Sequence, residues 1–159
     1  MVRKAVFEDL ENILELYKAA RAYMRKTGNP NQWGDSHPAR ELLESDIPEG
    51  RLHVVEREGE ICGAFALIFG EDPTYTYIED GSWLSDEPYG TIHRLGSNGK
   101  ASGIFAECVQ FCLGQIAHLR ADTHHDNKVM QALLEKEGFV RRGIIYLANG
   151  DPRIAYEKL

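Results

Sequence analysis

Gly96-Ser97-Asn98-Gly99-Lys100-Ala101-Ser102-Gly103 runs from a β-like segment, Tyr-Gly-Thr-Ile-His-Arg-Leu at 89–95, into the apolar-periodic stretch Ile104–Ile116. A glycine-rich turn between strand and helix aims several backbone N–H groups at one spot, at the positive end of the helix dipole. That arrangement binds phosphate. Spacing excludes two nucleotide motifs. A Walker loop needs Gly, four residues, then Gly-Lys-Ser/Thr; here Ala101 follows Gly99-Lys100, and Arg94 stands where the first glycine belongs. The dinucleotide fingerprint needs Gly-x-Gly-x-x-Gly near the first strand, whereas Gly96, Gly99 and Gly103 are wider apart and late in the chain. A lone turn of this kind is more often a plain connection than a ligand site, so its surroundings decide.

Downstream, the spacing predicts a helix over Ser102–His118, a strand over Leu119–Thr123 and a helix over Asp126–Glu137 closed by Gly138-Phe139. Val140–Leu147 and Arg153–Glu157 read as strands joined by the turn Asn149-Gly150-Asp151-Pro152. Upstream, Val2–Val6 reads as a strand. Leu10, Ile13, Leu14, Tyr17, Ala20 and Met24 then recur at helical spacing within Glu8–Lys26, and Gly28-Asn29-Pro30 stops that helix. Asn29–His37 is a loop carrying Trp33, followed by a short helix with Pro38 in its first turn and Leu42, Leu43 and Ile47 on its apolar side. Strands Arg51–Arg57 and Ile61–Phe69 flank the hairpin signal Glu58-Gly59-Glu60. The second is nearly all apolar, as in a central strand covered on both faces, and Gly63 within it marks a bulge or a close backbone approach. With a strand at Thr91–Leu95, the order is β-α-α-β-β-β-α-β-α-β-β. It predicts an α/β fold, a mixed sheet with helices on both faces, in one domain over residues 1–159.

Composition sets the class. The chain is 43% apolar and 27% charged over 159 residues, which fits one domain with a real core. No run approaches the roughly 20 apolar residues of a membrane span, and Met-Val-Arg-Lys-Ala-Val-Phe-Glu does not read as a signal peptide, so a cytoplasmic protein is expected. Cys108 and Cys112 lie one helical turn apart on a stripe with Ile104 and Ile116, the pattern of small buried hydrophobes. A formal charge of −7 without a long Lys/Arg cluster argues against nucleic acid. In Asp122-Thr123-His124-His125-Asp126, neighbouring side chains at a strand end alternate in direction, so no metal site is expected.

Taken together, Tyr89 to Phe139 resembles the GNAT superfamily of acyl-CoA-dependent N-acetyltransferases, and the likeness extends more weakly over the whole chain, including the hairpin Val54–Ala66. The family's Gln/Arg-x-x-Gly-x-Gly/Ala turn aligns with Lys100, Gly103 and Phe105; its downstream Asn and helix-closing Gly-Phe align with Asn127 and Gly138-Phe139. Three positions depart from the pattern. Lys100 keeps a donor but loses the planar fork, Phe105 stands at a usually small position, and Leu134 stands where a tyrosine usually protonates the leaving thiolate.

The resemblance implies a GNAT-like fold and direct transfer of acetyl from acetyl-CoA, a cosubstrate, to the amine of a small-molecule or amino-acid-like acceptor, with no metal. It implies that Leu95 and Gly96 lie along the pantetheine arm, that Lys100, Ala101, Ser102, Gly103, Ile104 and Phe105 surround the pyrophosphate, and that Asn127 bonds near the sulfur. His93, on the strand expected to meet the thioester, is the plainest candidate base, since imidazole titrates near neutrality. Glu79 is a second candidate base and Tyr146 a candidate acid. The acidic, aromatic stretch Glu71–Tyr89, with Tyr77, Trp83 and Tyr89, together with Trp33, is expected to hold a cationic amine by charge and cation–π contact. Neither nucleic acid nor membrane is an expected partner, and a homodimer stays open. The alternative is a sensor of the same fold that binds acyl-CoA without turnover; a third reading is an interaction protein that binds no cofactor.

Overall fold

A computed structural model describes residues 1–159. Its strands are β1 (Val2–Lys4), β2 (Leu52–Arg57), β3 (Glu60–Phe69), β4 (Gly90–Ser97), β5 (Leu119–Thr123), β6 (Val140–Tyr146) and β7 (Pro152–Lys158). Its helices are α1 (Leu10–Lys26), α2 (Arg40–Asp46), α3 (Ile104–Leu113) and α4 (Lys128–Lys136), with short 3-10 turns at Phe7–Asp9 and Pro73–Tyr75. The predicted order of elements is the observed one. The strands form one sheet in the order β1-β2-β3-β4-β5-β7-β6, antiparallel except for β4 beside β5.

Side-chain alternation lets the sheet carry a core on each face. Leu52 and Val54 of β2 join Ile13, Leu16 and Tyr17 of α1 and Leu43 of α2 on one face. Val55, Phe65 and Leu67 join Phe105, Cys108, Val109 and Cys112 of α3 and Leu134 of α4 on the other. Cys62, Cys108 and Cys112 are free thiols buried as small hydrophobes. Glu58 and Gly59, at φ 53° and 79°, close the β2–β3 hairpin with the paired positive dihedrals of a tight two-residue turn. Gly63 is a close approach: a Cβ there would lie 2.6 Å from Ile104 Cγ2, at the start of α3. No helix is long and apolar enough to cross a membrane.

Several element ends differ from the predicted ones, each for a local reason. The first strand stops at Lys4 because Asp9 accepts the Val6 N–H and the Arg3 guanidinium, turning residues 7–9 into a 3-10 turn ahead of α1. Pro38 precedes α2, which starts at Arg40, instead of lying in its first turn. The helix α3 begins only at Ile104, because Gly103 before it is left-handed at φ 73°, and it ends before Gly114, a poor helix former.

Candidate active site

The site is built around an irregularity in β4. That strand pairs with β5 only through Gly90↔Leu119 and Thr91↔Arg120; beyond them the two strands part. Against β3, His93 faces Ala66 and Gly96 faces Ala64, so Arg94 and Leu95 together oppose one residue. This is a bulge, which bends a strand and re-aims its side chains. Arg94 adopts φ 55° in it, a conformation that costs on the order of 1–3 kcal/mol. Two contacts hold it: Tyr17 donates its hydroxyl to the Arg94 carbonyl at 2.6 Å, and the Arg94 guanidinium lies 2.8 Å from the fully buried Asp46 carboxylate.

Two clefts meet at this bulge. The first, about 300 Å³, is lined by Leu95 and Gly96 of β4, by Ala101, Gly103, Ile104 and Phe105 of the glycine turn and α3, by Asn127, and by Lys136 of α4. The helix α3 starts without a side-chain cap. Its first bond runs from the Glu107 N–H to the Gly103 carbonyl at 3.1 Å. The N–H groups of Ile104, Phe105 and Ala106 therefore have no helical acceptor and sit at the positive end of the dipole, as an anion requires. Phe105 turns its ring into the core near Phe139, 6.2 Å between centroids, so its bulk stays off the turn.

The second cleft, about 540 Å³, runs between the loop of Gln32, Trp33 and His37, the β4 residues Ile92–Leu95, Asp122 and Thr123 of β5, and Asp151 and Arg153 at the start of β7. Met24, Leu95, Asn127 and Met130 line both clefts. Trp33 sits edge-on to Tyr17 and His37. Gln32 pins the loop across the cleft: its Oε1 accepts from Asn29 Nδ2 at 2.9 Å, Asn127 Nδ2 at 3.0 Å and Thr123 Oγ1 at 3.4 Å. Asn127 Oδ1 caps α4 through the Met130 N–H at 2.9 Å. One amide hydrogen of Asn127 is left for a ligand.

His93 faces the second cleft, and its Nε2 lies 3.1 Å from Asp72 Oδ2. The other Asp72 oxygen accepts the Thr74 N–H at 2.9 Å and the Thr74 hydroxyl at 2.7 Å. Burial works to raise the Asp72 carboxyl, but the bonds from His93 and Thr74 outweigh it and hold the group at about 2. An ionised Asp72 only accepts, so His93 donates to it from Nε2, and in the neutral ring that leaves the lone pair on Nδ1. Next to this pair Tyr75, fully enclosed, donates its hydroxyl to Asp122 Oδ2 at 2.6 Å. Burial foremost, and then Asp122, push the Tyr75 hydroxyl well above its usual value, so it remains a donor.

The structure distributes the remaining candidates unevenly. Lys100 lines a polar hollow with Glu15, Glu60 and Asn98 on the far side of the turn, because the Asn98 side chain accepts its N–H and turns the chain outward. Ser102 lines neither cleft. Glu79 and Tyr146 are hydrogen-bonded to each other on the edge strand β6, where the Glu79 backbone bridges Ile144, and neither reaches the bulge. Tyr77 is exposed beside Tyr146, outside both clefts. Trp83 and Tyr89 are also outside, and their ring faces hold the protein's own Arg120, whose guanidinium carbon lies 4.0 Å from each centroid. Leu134 is a fully buried core residue. His124, His125 and Asp126 bring ligand atoms within 4.8 Å of one another. However, His124 Nδ1 accepts the Asp126 N–H, and the two rings stack at 4.3 Å, which sends their in-plane lone pairs side by side.

Sequence reasoning singled out neither Gln32 nor Arg153, reached Asp72 only as part of the acidic stretch Glu71–Tyr89, and weighed Asp122 only as a metal ligand. Asp72-Pro73-Thr74 does carry a helix-capping signature, which marks a fixed carboxylate; the other three have no local signal.

No family model matches the chain, and no curated protein matches it in sequence. Solved structures do. The chain is similar to an acetyltransferase of the GNAT family from Streptococcus agalactiae, with 30% identity and a TM-score of 0.91 over 100% of this chain and 94% of that one. A GNAT-family acetyltransferase from Listeria monocytogenes has 21% identity and a TM-score of 0.73, over 99% and 93% of the two chains. A GNAT-superfamily phosphinothricin acetyltransferase from Sinorhizobium meliloti, solved in complex with AcCoA, has 13% identity and a TM-score of 0.65 over 99% and 86%. At these lower identities the likeness is one of fold.

Proposed function

Because this chain belongs to the GNAT family of acetyltransferases and is thereby an acyltransferase, we propose that it moves acetyl from acetyl-CoA to the amine of a small or amino-acid-like acceptor by direct transfer. The observation that carries this reading is the meeting of two clefts at the β4 bulge, with His93 and Asp72 facing the second. The Sinorhizobium meliloti neighbour is bound to AcCoA, and the uncapped start of α3 together with Lys136 gives this chain the donors that a pyrophosphate needs.

In the proposed reaction the donor lies in the first cleft, with its acyl end at Leu95 and Asn127. The acceptor occupies the second cleft as an ammonium. His93 Nδ1 takes its first proton, directly or through one water. The neutral nitrogen attacks the thioester carbonyl, the C–N bond forms, and a backbone N–H of the β4 segment Ile92–Gly96 steadies the oxygen. The C–S bond then breaks. The second proton shed by nitrogen balances the one taken up by sulfur, and thiolate is a good leaving group, so Leu134 in the tyrosine position does not block the step. No metal takes part in this scheme.

The test is calorimetric titration with acetyl-CoA, followed by thiol release against a panel of small amines. Binding with release supports transfer. Binding without release across the panel returns the chain to a sensor role, and no binding refutes the assignment of the first cleft.

A further inference from the structure

Two arginines of this protein are buried, and they are treated differently. Arg120 has the Glu157 carboxylate at 3.7 Å and an aromatic ring on either side. Arg94, nearly as covered, lies on Asp46. Arg153, only 6% exposed, has no carboxylate in ion-pair contact. It donates Nη1 to the Pro152 carbonyl at 2.9 Å and Nη2 to the Gln32 carbonyl at 3.4 Å. A guanidinium has five N–H donors, so most of its hydrogen-bonding fork is unclaimed, and it lines the second cleft. Burying a charge without a partner is costly. Burial accordingly lowers the Arg153 pKa, and Asp122 and Asp151 favour its charge from a distance without touching it. The Tyr75 hydroxyl already occupies Asp122 Oδ2.

We infer that the missing counter-ion is the acceptor's own carboxylate, held by Arg153, so that the substrates are compounds with a free amine and a free carboxylate, as in an amino acid. This rests on the second cleft being the acceptor side. The Arg fork matches the two oxygens of a carboxylate. Asp122, in the same cleft, attracts the ammonium end, and His93, on β4, lines that cleft and receives its proton. A zwitterion carries no net charge, so the formal −7 of the chain does not repel it, as it would a polyanion. Burial foremost lowers the His37 pKa, and the Arg94 and Arg153 charges in the same cleft lower it further.

The test compares matched acceptors with the full chain at saturating acetyl-CoA: free amino acids against their own amides and methyl esters. The free acids should show at least about 10-fold higher kcat/KM, the span that a charged hydrogen-bonded pair supports. In R153Q that preference should fall to within about threefold while the KM for acetyl-CoA is unchanged. Because Arg153 also holds two backbone carbonyls, the wild-type comparison decides the matter alone if R153Q does not fold. Amides or esters turned over as well as the acids would overturn the carboxylate assignment and leave transfer to a small amine standing. No thiol release with any member of the panel would overturn both.

Discussion

Replacing Asp72 by Asn tests the proposed base through its partner, and the geometry says which way the amide must lie. One Asp72 oxygen accepts two hydrogens from Thr74, through N–H and hydroxyl, and the other faces His93 Nε2. An Asn carbonyl can occupy only one of these places, and keeping both Thr74 bonds puts the NH2 against His93. The imidazole must then accept at Nε2 and carry its proton on Nδ1, the nitrogen proposed to take the acceptor's proton. A misplaced tautomer and a lost charged hydrogen bond are worth about 1.5–3 kcal/mol. That corresponds to a fall of roughly 10- to 150-fold in kcat. The assay is thiol release at saturating acetyl-CoA, at a temperature where the variant is folded, with the dissociation constant for acetyl-CoA measured alongside. That constant should stay at its wild-type value, while the melting temperature falls because an ionised carboxyl held below its usual pKa stabilises the fold. T74A serves as the control, because it loses one bond of the same turn but leaves the Asp72–His93 contact intact, and it should keep its kcat. Because Asp72 is held at about 2, it stays ionised in any ordinary buffer, so the wild-type contact with His93 persists across the assay range. A D72N enzyme within about twofold of wild type would refute the role given to His93 Nδ1.

Two further predictions concern the glycine turn and the buried charge. Gly99 and Gly103 are both left-handed, at φ 77° and 73°, with open space where a Cβ would stand. G99A and G103A should each cost about 1 kcal/mol in chemical denaturation. Only G103A should weaken acetyl-CoA binding in calorimetry, since only Gly103 lines the first cleft; equal affinities would dissociate the turn from the donor. Glu157, fully buried, accepts from His118, Arg142 and the Leu84 N–H. Burial works to raise its pKa, but these bonds outweigh it and hold it below the usual 4.5. Its folded pKa being depressed, its contribution is full above that usual value and lost as pH falls through the folded one. E157Q should therefore cost about 3–5 kcal/mol at neutral pH, and the gap to wild type should narrow below pH 4.5. A gap independent of pH would refute the charge pairing.

What the sequence made legible follows the range of the interactions concerned. The element order came from periodicities of 2 and 3.6 residues, which local side-chain patterns encode, and the glycine turn came from the backbone freedom that only glycine supplies. The acidic, aromatic stretch takes on a different meaning in the fold. Trp83, Tyr89 and a run of acids read as a cation trap, yet the cation between those rings is Arg120, more than thirty residues further on. Aromatic faces in a sequence announce that a cation belongs there without saying whose. Arg153 presents the converse case. In the sequence it is one arginine after a turn, and only the fold brings every other well-covered arginine onto a carboxylate while leaving this one without. The proposed carboxylate partner therefore rests on a contrast between distant parts of the chain: Arg94 of the second cleft is held by Asp46 beneath it, whereas Arg153 of the same cleft has no carboxylate in contact. An uncompensated guanidinium in a cleft of a protein of net charge −7 fits a ligand that brings its own carboxylate, and the proposed acceptor, carrying an amine as well, would present that amine to His93.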